Sequence, residues 1–347
     1  MTVKPATHRY RAPADAARPS APSRAAPGEL VRNPGMPLEL DWVRESRINR
    51  SAVERRASTI GTRRSVKKEW QLGWLLRVIT LMDLTTLAGD DTANRVRRLA
   101  AKARQPLRAD LLAGLGFDQP DAPPIRVAAL CVYHRFVATA VEALQGSGIP
   151  VAAVSTGFPA GLSPFAQRVA EIEASVAAGA EEIDIVITRE HVLTGDWRAL
   201  YDEVRAFRAA AGDAHVKTIL ATGELGTLRN VYRASLVAMM AGADFIKTST
   251  GKESVNATLP VGLVMARAIR AYRERAGAHV GLKPAGGIRT AKQSLEWLAM
   301  VKEELGDRYL RPDLFRFGAS GLLADVERQI EFHLTGRYSA GRRHGLG

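Results

Sequence analysis

The chain has 347 residues, 46% of them hydrophobic, and a formal charge of +13 with a pI near 10.2. Its one cysteine, Cys131, excludes a disulfide framework within the chain and makes a reducing cytoplasm the expected home. No apolar run approaches the roughly 20 residues that span a bilayer, and no apolar signal segment follows Met1, so no membrane partner is expected.

The charge is unevenly placed. Residues 1–70 hold 15 Lys/Arg against 7 Asp/Glu, and residues 336–347 hold three arginines and no acid. The stretch between them has 31 basic and 29 acidic side chains. A basic chain invites a nucleic-acid reading. Here the excess sits in two ends expected to be solvated, and no basic groove interleaved with aromatics accompanies it. Nucleic acid is therefore not an expected partner.

Residues 1–37 contain seven of the 17 prolines, are rich in Ala and Arg, and show no periodicity. They are expected to be a disordered leader. The Arg/Ala bias is faintly like a transit peptide, but Asp15, Glu29 and the prolines oppose an amphipathic helix. Residues 38–76 are expected to be helical, with a basic surface (RRASTIGTRRSVKK) leading into Trp70, Leu72, Trp74 and Leu75.

From residue 77 to 335 short apolar runs recur, beginning near Val78, Val127, Val151, Ile183, Val216, Phe245, Val280 and Phe315. Each is followed by a turn and a helix-like stretch. Phe165, Val169, Ile172 and Val176 fall on one helical face, and Leu228, Val231, Leu236 and Met239 belong to another apolar helix. Strand–helix alternation implies parallel strands with right-handed crossovers. Eight units over about 260 residues favour a (β/α)₈ (TIM) barrel over an open doubly wound sheet. The absence of GxGxxG after the first strand points the same way. A basic tail, 336–347, completes the expected organisation.

A barrel places chemistry at the C-terminal ends of its strands. The first strand ends MDLTTL, with Asp83 and Thr85; the second carries Cys131, read as a small buried residue. The fourth, EEIDIVI, places Asp184 between two isoleucines, and the fifth contains Lys217. Lys247 and Lys283 hold similar positions on the sixth and seventh strands. A single strand lysine is ordinarily a snorkelling side chain. Two on neighbouring strands, about 4.8 Å apart, repel by about 3 kcal/mol at an effective dielectric near 20, roughly two pKa units. Partial burial acts in the same direction. An amine so treated can attack a carbonyl. Two lysines and an aspartate at one mouth are thus the parts of a Schiff-base enzyme: one amine bonds the carbonyl, the other stays charged, and the carboxylate moves protons. Lys217 is left open between a third member of the charge network and a structural lysine.

Gly-rich turns follow the last two strands: AGGIR, with Gly286, Gly287 and Arg289, and GASG, with Gly318 and Ser320. Barrels commonly hold a phosphate there, on backbone N–H groups and a helix N-terminus. Lys252 and Arg289 could add charge, so a small phosphorylated carbonyl compound is the expected substrate. The seven histidines are scattered, with no HxH or HExxH, and no metal is expected.

The stretches MDLTTL (82–87), EIDIVI (182–187), KTILATGEL (217–225), DFIKTSTGK (244–252), VNAT (255–258), KPAGGIRT (283–290) and FGAS (317–320) resemble the deoxyribose-phosphate aldolase family, over roughly residues 40–337. RRSVKKEWQ, GDDT, LTGDW and DVERQI…LTGRY are most like its longer, animal-type branch. The resemblance implies a class I, metal-independent aldolase on a (β/α)₈ barrel. It would cleave 2-deoxy-D-ribose 5-phosphate reversibly to acetaldehyde and D-glyceraldehyde 3-phosphate, in deoxynucleoside breakdown. It also implies Lys247 as the Schiff-base lysine, Lys283 as its perturbing partner and Asp184 as the proton-handling carboxylate. Gly251, Lys252, Gly286, Gly287, Gly318 and Ser320 match phosphate-binding stretches, and Asp83 and Thr85 match residues lining the sugar site. No cofactor beyond the covalent lysine is implied, and assembly into a homo-oligomer is left open. Three departures stand out. Gly321 replaces a hydroxyl residue, His134 replaces a proline, and the chain lacks the terminal tyrosine of some members unless Tyr338 folds back. Two rival readings remain: another Schiff-base aldolase or transaldolase on the same barrel, and a binding protein acting through its basic ends.

Overall fold

The computed structural model describes residues 32–63, 65–340 and 343–345. Four helices come first: α1 (Leu40–Glu45), α2 (Arg50–Ser58), α3 (Ile60–Arg63) and α4 (Lys68–Thr80). The first half of the barrel runs β1 (Met82–Thr85), α5 (Ala93–Arg104), α6 (Ala109–Gly114), β2 (Ala129–Tyr133), α7 (Val137–Leu144), β3 (Val151–Ser155), α8 (Phe165–Ala177) and β4 (Glu182–Val186). The second half runs α9 (Arg189–Thr194), α10 (Trp197–Ala210), β5 (His215–Ile219), α11 (Leu228–Met240), β6 (Phe245–Lys247), α12 (Leu259–Ala276), β7 (Gly281–Lys283), α13 (Ala291–Leu305), β8 (Phe317–Ala319) and α14 (Leu322–Thr335).

All eight strands are parallel, ordered β7-β6-β5-β4-β3-β2-β1-β8. Parallel bridges Leu282–Phe315 and Ala285–Gly318 join the two ends of this sheet and close the barrel. Outward residues such as Ile183, Val216, Ile246 and Leu282 are fully buried in one core with Val231, Leu236, Val264, Ile269 and Leu298. Threonine side chains cap the N-termini of α5, α11, α12 and α13 (Thr92, Thr227, Thr258, Thr290), satisfying N–H groups that a helix leaves unpaired. Inside, Gly281 faces the Phe245 ring so closely that a Cβ could not fit.

The apolar run expected to open the first strand near Val78 is divided instead. Val78 and Ile79 lie on the buried face of α4 with Leu75, and pairing begins only at Met82. An unbroken apolar run does not reveal such a boundary, because its period is ambiguous. Of the four residues expected on one face of α8, Ile172 is buried, Val169 and Val176 are half-buried and Phe165 is exposed; Arg168 and Ser175 are the helix's other buried residues.

Most of the leader expected over 1–37 lies outside the described residues. Its last part is described and differs from the expectation, because Asn33 is buried. Asn33 donates from its backbone N–H to Asp244 (2.8 Å) and from its amide to the carbonyls of Met239 (2.7 Å) and Ala243 (2.9 Å), and accepts from the Tyr272 hydroxyl (3.0 Å). From there α1 packs on α11, α2 on α12 and α3 on α13.

The tail is also more engaged than expected. The Tyr338 ring stacks on Phe332 at 4.4 Å and its hydroxyl meets Gln329, both on α14. His344 is buried against Ser339 (2.6 Å) and Glu331 (3.1 Å), and Arg343 lies 3.5 Å from Glu331. Acidic side chains of α14 thus draw the basic tail back. Residues 341, 342, 346 and 347 lie outside the described residues.

Candidate active site

Strand register builds the site. Lys247 is the direct pairing partner of Lys283, and Asp184 that of Lys217. All four side chains are buried. Lys247 Nζ and Lys283 Nζ both donate to Asp184 Oδ2, each at 2.7 Å, so the two nitrogens are no further apart than twice that distance. Lys217 Nζ takes the other oxygen, Oδ1, at 3.1 Å.

The network continues inward. Lys217 pairs with Glu182 at 2.5 Å and approaches Asp83 at 3.7 Å. Arg316 bridges Asp83 (2.5 Å) and Glu182 (2.8 Å), and Lys283 reaches Asp83 at 2.5 Å. Three carboxylates therefore face four cations, all buried. Fully ionised, this cluster carries one surplus positive charge. Lys247 has one carboxylate partner, whereas Lys283 has two and Lys217 three. Loss of the Lys247 proton balances the interior, so this is the lysine that can give it up.

The electrostatics agree. Burial pushes the Lys247 ammonium down, Asp184 pulls it up, Lys283 repels it, and the outcome is a lowered pKa. Burial is the larger cause and the neighbouring lysine the smaller, both acting in the direction expected from the sequence. For Lys283 burial is outweighed by Asp184 and Asp83, which hold it above the ordinary lysine value. Lys217 is likewise raised, chiefly by Asp184 and Glu182 against burial. Asp184 is held well below the carboxylate range: burial opposes its ionisation, but Lys217, Lys247 and Lys283 prevail. Lys217 is thus a member of the network. Glu182 and Arg316 were not singled out from sequence. Their signal was the period of two: Glu182 precedes Asp184, and Arg316 precedes Gly318, by one step on the same face.

Asp83, expected to line the sugar site, is fully enclosed in this network, and Thr85, half-buried, donates to its carbonyl at 2.7 Å. Cys131 is buried with Ala152 and Val154 under Leu87, Tyr133 and Phe158, an apolar wall, and burial pushes its thiol up. His134, standing where a proline was expected, pairs with Glu171 at 3.1 Å.

Of the expected phosphate-binding residues, Gly251, Gly286 and Gly318 stand on adjoining loops. A Cβ on Gly251 would sit 3.9 Å from the Gly286 Cα, and Ala285 bridges Gly318. Gly286 has φ +76° and presses on Asn256, where a Cβ would come within 2.7 Å; Gly287 has φ +82°. Lys252, Gly287, Arg289, Ser320 and Gly321 are exposed. Two glycines act differently from the expected donors. The Gly318 N–H is already given to the Pro284 carbonyl (2.9 Å), and a Cβ there would come within 3.3 Å of the Lys283 side chain. The Gly251 N–H is given to Glu253 at 3.1 Å. Gly321 has open space around a notional Cβ, so no steric reason excludes the missing hydroxyl. Among the described residues no group of three or more His, Cys, Asp and Glu side chains is placed to hold a metal ion.

The chain matches known proteins along most of its length. It is 61% identical over 308 residues to the deoxyribose-phosphate aldolase of Mus musculus, covering 88% of this chain and 96% of that one. It is 58% identical over 312 residues to the Homo sapiens enzyme of the same name, covering 89% and 97%. The tetrameric deoxyribose phosphate aldolase of Aeropyrum pernix shares the fold, with a TM-score of 0.57 and 20% identity over 82% of this chain and 99% of that one. Residues 77–327 match the family described as DeoC/LacD family aldolase, and the chain belongs to that family.

Proposed function

We propose that this protein is a deoxyribose-phosphate aldolase. It cleaves 2-deoxy-D-ribose 5-phosphate to acetaldehyde and D-glyceraldehyde 3-phosphate, reversibly, through a Schiff base on Lys247 and without a metal. The observation that carries this reading is the shared Asp184 oxygen, 2.7 Å from both the Lys247 and Lys283 nitrogens in a buried site. The relatives' activity supports the substrate, and the enclosed single cysteine suits a reducing cytoplasm.

In this mechanism the neutral Lys247 amine adds to C1 of the open-chain sugar. The carbinolamine oxygen takes up a proton delivered through water and leaves as water, giving an iminium, while Lys283 stays cationic. Asp184 remains ionised and stabilises that cation, which forms where the network has just lost one. The C3 hydroxyl gives its proton to Asp184 through a water as the C2–C3 bond breaks, and the bonding pair moves into the iminium to form an enamine. Glyceraldehyde 3-phosphate departs from the loops after β6, β7 and β8. Protonation of the enamine at C2 and addition of water release acetaldehyde and restore the amine.

Borohydride in the presence of acetaldehyde should fix a two-carbon adduct to Lys247, read by peptide mass spectrometry, with activity unaffected by chelators. Full turnover in Lys247→Ala, or an adduct on another lysine, would overturn the assignment.

A further inference from the structure

The barrel mouth holds a second polar cluster, which the reaction just described leaves without a role. Arg189, the first residue of α9, sends Nη1 to the Ala160 carbonyl (2.5 Å) and Nη2 to the Pro159 carbonyl (3.1 Å), both in the loop after β3. Its Nε lies 2.6 Å from Glu224 in the loop after β5, and its Nη2 lies 3.9 Å from Glu253 in the loop after β6. One guanidinium therefore joins the loops that follow four consecutive strands. Two of these contacts are hydrogen bonds and two are ion pairs, which a planar, charged fork can hold at once.

Glu253 continues the connection. Its buried carboxylate accepts from the Thr250 N–H (3.0 Å), the Thr250 hydroxyl (2.8 Å) and the Gly251 N–H (3.1 Å). The Lys252 N–H goes to the Thr250 hydroxyl oxygen (3.1 Å). Three successive backbone donors of this loop are thus committed internally and cannot also hold an anion. The loop can still offer its shape and the exposed Lys252 ammonium. A carboxylate beside a phosphate-binding loop opposes a dianion electrostatically. Its burial and full set of hydrogen bonds fit a part that holds the loop's shape, with Arg189 offsetting its charge.

We propose that Arg189 and Glu253 are positioning residues that set the loop after β6, presenting Lys252 to the substrate's phosphate. This rests on the reading that the phosphate lies at these loops. The test compares Arg189→Lys, Glu253→Gln and Lys252→Met on 2-deoxyribose 5-phosphate and on unphosphorylated 2-deoxyribose, together with borohydride trapping of acetaldehyde on Lys247. The expected result for the first two is a KM for the phosphorylated sugar raised by about tenfold or more, with kcat within about threefold. Their kcat/KM for 2-deoxyribose and their trapping yield should stay near those of the unaltered enzyme. Equal losses on both sugars, loss of trapping, or an unmoved KM would overturn the proposal. If Lys252→Met raises KM while the other two do not, the clamp alone falls. If Lys252→Met leaves KM unchanged, the placement of the phosphate falls and the clamp's role with it.

Discussion

Replacing Lys283 with methionine keeps most of the side chain's length and removes its charge. Lys247 and Lys283 share one carboxylate oxygen at 2.7 Å each, so the charge removed lies no further than about 5.4 Å from the nucleophile. At an effective dielectric near 20 that repulsion is about 3 kcal/mol, or about two pKa units. Asp184, relieved of one partner, will also pull harder on Lys247. Burial still lowers Lys247, but without the Lys283 charge the nucleophile's pKa rises from its present value. The fraction of neutral amine at pH 7 should fall by up to about a hundredfold. The assay is the pH profile of kcat/KM, whose acid limb reports the free enzyme. That limb should move up by about two pH units. Part of the lost rate should return at high pH, and borohydride trapping at Lys247 should follow the same shift. A limb that stays in place or moves down, in a variant whose fold is intact by circular dichroism, would refute the electrostatic coupling of the two lysines.

Three further outcomes are expected. Asn33→Ala removes an amide that joins two carbonyls and the Tyr272 hydroxyl. It should cost about 2–3 kcal/mol, and a shift in the denaturant midpoint worth under about 0.5 kcal/mol would contradict the burial of this strap. Asp83, Asp184 and Glu182 are held below their ordinary values of 3.8 and 4.5 by Arg316 and the lysines, against burial. Depressed carboxylates contribute stability that is whole above the unfolded values and lost as pH falls through the folded ones. The unfolding free energy should therefore decline from about pH 4.5 downward, and a flat profile between pH 5 and 3 would count against the buried network. Gly286→Ala strains a backbone at φ +76° and drives a methyl into Asn256. It should raise KM for the phosphorylated sugar with little change in trapping at Lys247, and an unchanged KM would separate this turn from the phosphate.

The strand array and the two lysines were legible because strands repeat every two residues and buried ammonium groups are rare on them. The site's inner half was not. Glu182 and Arg316 gain meaning only when closure of the barrel sets strands far apart in sequence against one another. The start of the first strand was hidden because Val78, Ile79 and Leu84 are equally apolar on helix and strand. The glycine-rich loops were legible as places of close approach, but not as donors. Which N–H groups are already spent depends on Glu253 and the Pro284 carbonyl, and no motif records those pairings.

Asn33 is fastened beneath the start of β6, next to Asp244, whereas Lys247 stands at that strand's far end. Anchoring the chain to a bead or an electrode through residues just ahead of Asn33 would thus grip the end of the cylinder opposite Lys247. Immobilised molecules would share one orientation, with the Lys247 end of the barrel turned toward the reactant stream.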